Sequence, residues 1–273
     1  PPAERQGDYY LLRAQILDAM DKPDEAANDL TLGLKAAPTR PDLYYQAALF
    51  LIQHSQAREL FGLLQQAVQK FPDSPQILLT QAIAYGLARQ FEASKRVLAQ
   101  IQARWPEWSE AYLIHGIILV GEAKASQAKP LLQTAIALGS QDALAYYNLA
   151  LANMESYPAD ASAAEKAIKT ALKLNPNDPY TESLAGKIAY TRRDYQTALR
   201  RLQDAVRIWP DMVEARVELS ATYRALGDRQ EAANELKDVQ RIHQRARAAP
   251  NEGPPSDLKQ ALFSVPAPAP PGS

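Results

Sequence analysis

Catalysis and metal binding need reactive side chains at fixed spacings, and this sequence offers few. Its 273 residues include no cysteine, which removes thiolate nucleophiles, disulfides, iron–sulfur clusters and Cys-based zinc sites. The three histidines, His54, His115 and His243, lie too far apart in the chain for metal-ligand spacing, and no HExxH motif occurs. There is no Gly-rich phosphate loop and no GxSxG elbow. Acidic pairs such as Asp24 and Glu25 stand where helices start and complement the helix dipole there. An enzyme would have to assemble its site from scattered residues, so the sequence reads as a non-enzyme with no cofactor and no metal.

Charge names no partner either. Thirty basic side chains oppose 31 acidic ones, for a net charge of −1, whereas a dedicated nucleic-acid binder normally carries a clear basic excess. The basic cluster Arg192, Arg193, Arg200, Arg201 and Arg207, followed by Arg241, Arg245 and Arg247, reads first as a solvated face paired with Asp194 and Asp204. Aromatic side chains are not interleaved with it as a stacking platform. No apolar run reaches the roughly 18 residues of a membrane span. Because the chain opens on Pro1 and Pro2 rather than Met, the expectation is of an excised piece without its targeting segment.

The organisation shows in the prolines. Pro38, Pro72 and Pro106 are 34 residues apart, as are Pro176 and Pro210, and Pro41 and Pro75 keep the same step. A fixed period of that size marks a repeat array. It divides the chain into blocks 7–40, 41–74, 75–108, 109–142, 143–178, 179–212 and 213–246, with an N-terminal linker at 1–6 and a Pro-rich tail at 247–273. The eighth position of each block is then Ala14, Ala48, Ala82, Gly116, Ala150, Gly186 or Ser220, small in every case. The twenty-fourth is Leu30, Leu64, Leu98, Leu132, Ile168, Leu202 or Leu236, always a large aliphatic. Small residues let two helix backbones approach, and the aliphatic fills the seam beside them.

Each block carries two apolar runs at helical spacing separated by a polar turn, such as Tyr44, Ala47, Ala48, Leu51 and then Leu60, Leu63, Leu64, Ala67, Val68. The block is therefore a helical hairpin whose closing proline stops the second helix. Two extra residues in the fifth block fall between Ser156 and Asp160 and lengthen only the turn. Strands have no evident place. Trp105, Trp108 and Trp209, at or just before block ends, are expected to fill junctions between hairpins.

Over residues 7–246 the sequence resembles the tetratricopeptide repeat family. The matching features are a bulky fourth residue (Tyr10, Tyr44, Leu78, Tyr112, Tyr146), the small eighth, a large eleventh (Leu17, Leu51, Tyr85, Leu119, Tyr223) and a small twentieth (Ala26, Ser94, Ala128, Ala164, Ala198, Ala232). Gly33, Ala67, Ala135, Ala171 and Ala205 supply a small twenty-seventh residue before the closing proline. The sequence departs at Leu60, Ile101 and Val239, at Ser140 and Gln244 in place of proline, and at Glu182 and Arg216 in place of the bulky fourth residue. Looser packing of the last two blocks, or a changed environment at the end of the array, is the corresponding expectation.

The resemblance implies an all-α, right-handed superhelical solenoid of stacked hairpins, with first helices lining a concave groove that binds a peptide or helix. On that geometry Leu79, Ile83, Leu113, Ile117, Val120, Leu144, Tyr147, Leu151 and Met154 form an apolar groove stripe, and an apolar surface of that kind signals a partner. Burial between adjacent first helices is the competing account for any one of them. Asn148 occupies the one matching position of the family's carboxylate clamp, but Leu113, Ile117, Tyr180 and Leu184 replace its other residues, so the clamp is absent.

Beyond the repeats the last helix is expected to run toward Arg247. A short amphipathic segment follows at 256–265, with Leu258, Ala261, Leu262 and Val265 at i, i+3, i+4, i+7 spacing. It reads as a cap on the array, a ligand for the groove in this or another copy, or a mobile tail. The expected function is a non-catalytic protein-interaction scaffold. The alternatives are a structural or self-associating array occupied by its own C-terminal segment, and an envelope-associated scaffold of a secretion or polysaccharide-export assembly. Location in a bacterial periplasm or envelope is favoured over the cytoplasm.

Overall fold

The computed structural model describes residues 3–248. They form α-helices throughout, joined by short turns: α1 (Ala3–Ala19), α2 (Pro23–Ala36), α3 (Pro41–Gln53), α4 (Ala57–Lys70), α5 (Pro75–Leu87), α6 (Phe91–Arg104) and α7 (Ser109–Gly121). There follow α8 (Ala125–Ala137), α9 (Ala143–Glu155), α10 (Ala161–Leu174), α11 (Pro179–Thr191), α12 (Tyr195–Ile208), α13 (Val213–Leu226) and α14 (Arg229–Ala248). The chain divides between Ile114 and His115 into two compact units. In the first, α1 packs on α2, α3 on α4 and α5 on α6, and α1, α3 and α5 touch in succession. In the second, α9 packs on α10, α11 on α12 and α13 on α14, with α9, α11 and α13 in the same serial contact. Residues 3–6, read above as linker, are helical, because Ala3, Glu4, Arg5 and Gln6 favour helix and nothing separates them from the first block.

The two helices of a hairpin cross where both carry small residues. Ser94 Oγ on α6 donates to Ala82 O on α5 at 2.6 Å, and Ser220 Oγ on α13 donates to Ala232 O on α14 at 2.9 Å. The same contact is thus made from opposite sides, by the twentieth position in one hairpin and the eighth in another. Above the crossing sits the aliphatic: Leu64, Leu98, Leu132 and Leu202 are at most 1% exposed. Two hairpins go further and use glycine. A Cβ on Gly186 would stand 2.5 Å from Leu202 Cγ, and one on Gly116 would stand 2.6 Å from Leu132 Cγ.

Both kinds of turn repeat as well. In the turns after α1, α3, α5, α7 and α11, Asp21, Ser55, Arg89, Ala123 and Arg193 take positive φ of 56–63°, and Gly227 after α13 takes 95°. The fifth block, with its longer 156–160 turn, has no such residue. At the other end of each second helix the residue before the closing proline returns its N–H to the carbonyl four back, as Phe71 does to Ala67 and Trp105 to Ile101. Proline then forbids continuation. After α8, where Ser140 replaces that proline, Gly139 at φ 93° ends the helix instead.

The last two hairpins are not loosely packed where the bulky fourth residue is missing. Glu182 is 5% exposed and receives Arg201 Nη1 on both carboxylate oxygens, at 3.2 and 3.1 Å. In the next hairpin the polarity is reversed: Arg216 Nη1 reaches Glu235 at 2.6 Å and Asp238 at 3.1 Å, while its Nε donates to Pro210 O at 2.7 Å. Both pairs join the fourth position of a first helix to the twenty-third of the second. An ion pair fills the space an aromatic ring fills elsewhere. Leu60, Ile101 and Val239, large residues at small positions, are also buried.

Two substitutions test this geometry. Left-handed backbone costs a non-glycine residue roughly 1–2 kcal/mol, partly offset by the greater freedom of glycine in the unfolded chain. Ala123→Gly should therefore raise stability by about 0.5–1 kcal/mol, seen as a higher urea midpoint. Gly186→Ala should lower it by about 1–3 kcal/mol through overpacking against Leu202, and Leu202→Val in the same chain should recover part of the loss.

Candidate functional site

A surface for a partner must be apolar yet reachable, and the structure separates the anticipated stripe on that criterion. Leu79, Ile83, Leu113 and Ile117 are 1–5% exposed, and Asn148 is fully buried. Val120, Leu144, Tyr147, Leu151 and Met154 are half-buried. Burial follows from how first helices stack: within each unit they touch one another directly, so side chains pointing between them are core. Asn148 Nδ2 turns back to donate to Leu144 O at 3.0 Å, which uses the clamp-like residue within its own helix. Leu258, Ala261, Leu262 and Val265 lie outside the described residues.

What remains reachable is concentrated in the second unit. Tyr147, Leu151 and Met154 recur at i, i+4, i+7 along α9 and rest on a buried cluster of Ala150, Ala164, Ile168, Leu184 and Ile188. That support comes from α10 and α11, so the half-buried side chains have fixed backing. On α11 the exposed Lys187 and half-buried Tyr190 follow at equivalent positions, and the Lys187 charge acts on the Glu155 carboxyl at the end of α9, opposing the rise that desolvation causes. Tyr190 packs on Tyr195 with ring centroids 5.4 Å apart. The face offers apolar side chains, aromatic edges and one cation, which can grip a peptide or helix but present no nucleophile with a base.

Two concavities were not visible in the sequence. In the first unit a groove of ≈ 610 Å³ lies between α2 and α4, floored by Leu30, Leu34, Phe50, Leu51 and Leu63. Lys35 and Lys70 stand at its edge, and Lys70 Nζ donates to Tyr44 OH at 2.5 Å. The recurrence of a lysine in the last turn of α2 and α4 was the available signal. In the second unit a hollow of ≈ 710 Å³ is lined by Arg216, Arg241 and Arg245 together with Asp211 and Asp238. Its cations are already matched: Arg245 pairs with Asp211 at 2.8 Å and Arg241 with Asp238.

Three more arginines of the basic cluster are likewise paired. Arg192 meets Glu165, Arg201 meets Glu182 and Arg207 meets Asp204 at 2.9 Å, while Asp194 instead caps α12 by accepting from Thr197 N at 3.2 Å. His54 hydrogen-bonds Asp18 at 2.8 Å and packs on Phe50. Trp108 is buried, and Trp209 packs on Tyr180. Among the described residues no cluster of His, Asp or Glu could hold a metal, and no helix is long and apolar enough to cross a membrane.

Family models described as tetratricopeptide repeat match residues 115–179 and 189–250. Among solved structures the chain is similar to pilF of Pseudomonas aeruginosa, with 17% identity over 82% of this chain and 96% of that one and a TM-score of 0.64. It is similar to a tetratricopeptide repeat protein from Parabacteroides merdae, with 11% identity, 95% and 99% coverage and a TM-score of 0.65. A third is PilW, described as a widely conserved type IV pilus biogenesis factor, with 15% identity, 81% and 98% coverage and a TM-score of 0.65. At such identities the likeness is one of fold. No curated protein matches the chain.

The buried Glu182 gives the second unit a defined pH response. Burial pushes its carboxyl above the ordinary 4.5, against the pull of Arg201. The folded chain therefore holds that proton more tightly than the unfolded one, and the residue's contribution to stability is fullest below the unfolded value and is lost as pH rises through the folded value. Compared with Glu182→Gln, the unmodified protein should lose urea stability as pH rises above the ordinary carboxyl value of 4.5. Unfolding curves of the two proteins across that range provide the check.

Proposed function

Because the chain belongs to the tetratricopeptide repeat family, we propose that it is a non-catalytic scaffold whose seven hairpins, 7–40 through 213–246, hold a segment of another protein against their first helices. The observation that carries this reading is the supported, half-buried row Tyr147, Leu151 and Met154 on α9. An apolar row with fixed backing binds without first paying to order its own side chains. Val120 and Leu144 belong to the same class of reachable residue. Leu79, Ile83, Leu113, Ile117 and Asn148 are buried and take no part in that surface. The ligand best suited is an amphipathic helix or extended peptide with apolar anchors and an acidic group for Lys187.

For setting, we favour a bacterial envelope assembly. Its support is the likeness of fold to PilW, a widely conserved type IV pilus biogenesis factor. The alternative is an array whose first-helix face is taken by its own segment 256–265.

A photo-crosslinking residue placed at Leu151, with Lys173 on α10 as the control position, tests the reading in cells that make the protein. Adducts to another polypeptide from position 151, absent from position 173 and lost on Met154→Asp, are expected. Adducts that map to residues 256–265 would establish self-occupancy instead. Equal labelling from both positions would overturn the groove.

A further inference from the structure

The groove between α2 and α4 takes no part in holding a segment on α9, and its residues point to a ligand of another kind. Both walls are second helices of consecutive hairpins, so its opening is a property of their own residues. The half-buried Leu34, Leu51 and Leu63 rest on a buried cluster of Ala26, Leu30, Ala47 and Phe50, which gives the floor fixed backing. Its ≈ 610 Å³ lies within the roughly 300–1,000 Å³ of small-molecule sites.

One residue opens the wall. Gly62 lies inside α4 and lines the groove, at the twenty-second position of its block. The other blocks place Asn28, Arg96, Pro130, Lys166, Arg200 and Asn234 there, each with a side chain beyond Cβ. Glycine is the poorest helix former after proline, and the fold does not ask for it here. A Cβ on Gly62 would meet no atom within 4 Å, and its φ is not in the left-handed region. What the glycine does is leave open space beside an apolar floor.

We propose that this groove binds a single-chain amphiphile with an anionic head, a carboxylate of the fatty-acid type. Charge places the head. Since α2 and α4 run the same way, Lys35 and Lys70 in their last turns come to one end of the groove, whereas Glu59, in the first turn of α4, lines the other. At the basic end the buried Tyr44 accepts from Lys70 Nζ and keeps its own hydroxyl proton to donate to a carboxylate. The walls select the tail. They are helices whose backbone groups are paired internally, so an extended peptide lying on the floor would bury its amides without partners. A methylene chain has no such groups to satisfy and gains from every carbon covered.

Calorimetric titration of the full chain with dodecanoate tests the proposal. One saturable site is expected, with affinity rising about two- to fourfold per added methylene from octanoate to dodecanoate. Gly62→Leu fills the open wall and should weaken dodecanoate at least about tenfold. Because leucine favours helix over glycine, that variant should unfold at an equal or higher urea concentration, which separates a filled groove from a damaged fold. Dodecyltrimethylammonium should bind far more weakly than dodecanoate, and Lys35→Gln/Lys70→Gln should remove most of that preference. Absence of a saturable site up to about 1 mM dodecanoate would overturn the proposal, as would unchanged affinity in Gly62→Leu or equal binding of the cationic amphiphile. A photo-crosslinking residue at Gln66, which lines the groove, that captured a polypeptide in cells would likewise overturn it and assign the groove to a protein.

Discussion

Everything in this architecture depends on how closely two helix backbones can approach at the crossing inside a hairpin. The approach is set by a pair of small residues, one on each helix, with an aliphatic side chain lying over them. Where hydroxyls occur at the pair they reach the opposite backbone carbonyl, as Ser94 and Ser220 do from opposite helices. Where glycine occurs, the leucine moves into the space of the missing Cβ, as Leu202 does at Gly186. Hairpins that look different in sequence thus keep one crossing by trading volume between the small residue and its aliphatic cover. Since a hairpin alone cannot bury both faces of that aliphatic, each needs a neighbour. The exception fits the rule: Leu236, the aliphatic of the final hairpin, is 40% exposed.

Electrostatics takes over where aromatic packing stops. Glu182 and Arg216 occupy the position that holds Tyr44 or Tyr146 in other hairpins, and each is joined to the twenty-third position of its second helix. A buried pair of this kind adds little net stability over an apolar filling, because desolvation cancels most of the attraction. The elevated proton affinity of Glu182 reflects that cost. Acid and base are interchanged between the two adjacent hairpins, so exchanging helix partners between them would oppose like charges.

The surface chemistry follows from the same packing. A first helix flanked by first helices on either side keeps only a narrow strip open, so most of an apolar face becomes interior and only its outermost members remain for a ligand. On α9, Tyr147, Leu151 and Met154 are reachable while Asn148 is not.

Much of this was written in local patterns. The 34-residue period, the small residues at the crossing and the closing prolines each reflect a constraint acting within one hairpin, where separation along the chain is short and residue type alone decides the outcome. The left-handed turn residues were less legible, since Arg89, Ala123 and Arg193 give no sign of positive φ; the turn geometry imposes it. The all-helical repeat fold was readable from the period and the two apolar runs of each block. The site was only half readable. Periodicity identifies which side of a helix is apolar, but Leu113 and Leu151 look alike in that respect, and only the placement of neighbouring helices makes one core and the other surface. The same holds for charge: Arg192 and Arg201 belong to one basic patch in the sequence, and in the fold they meet Glu165 and Glu182, which packing between helices rather than spacing along one brings to them.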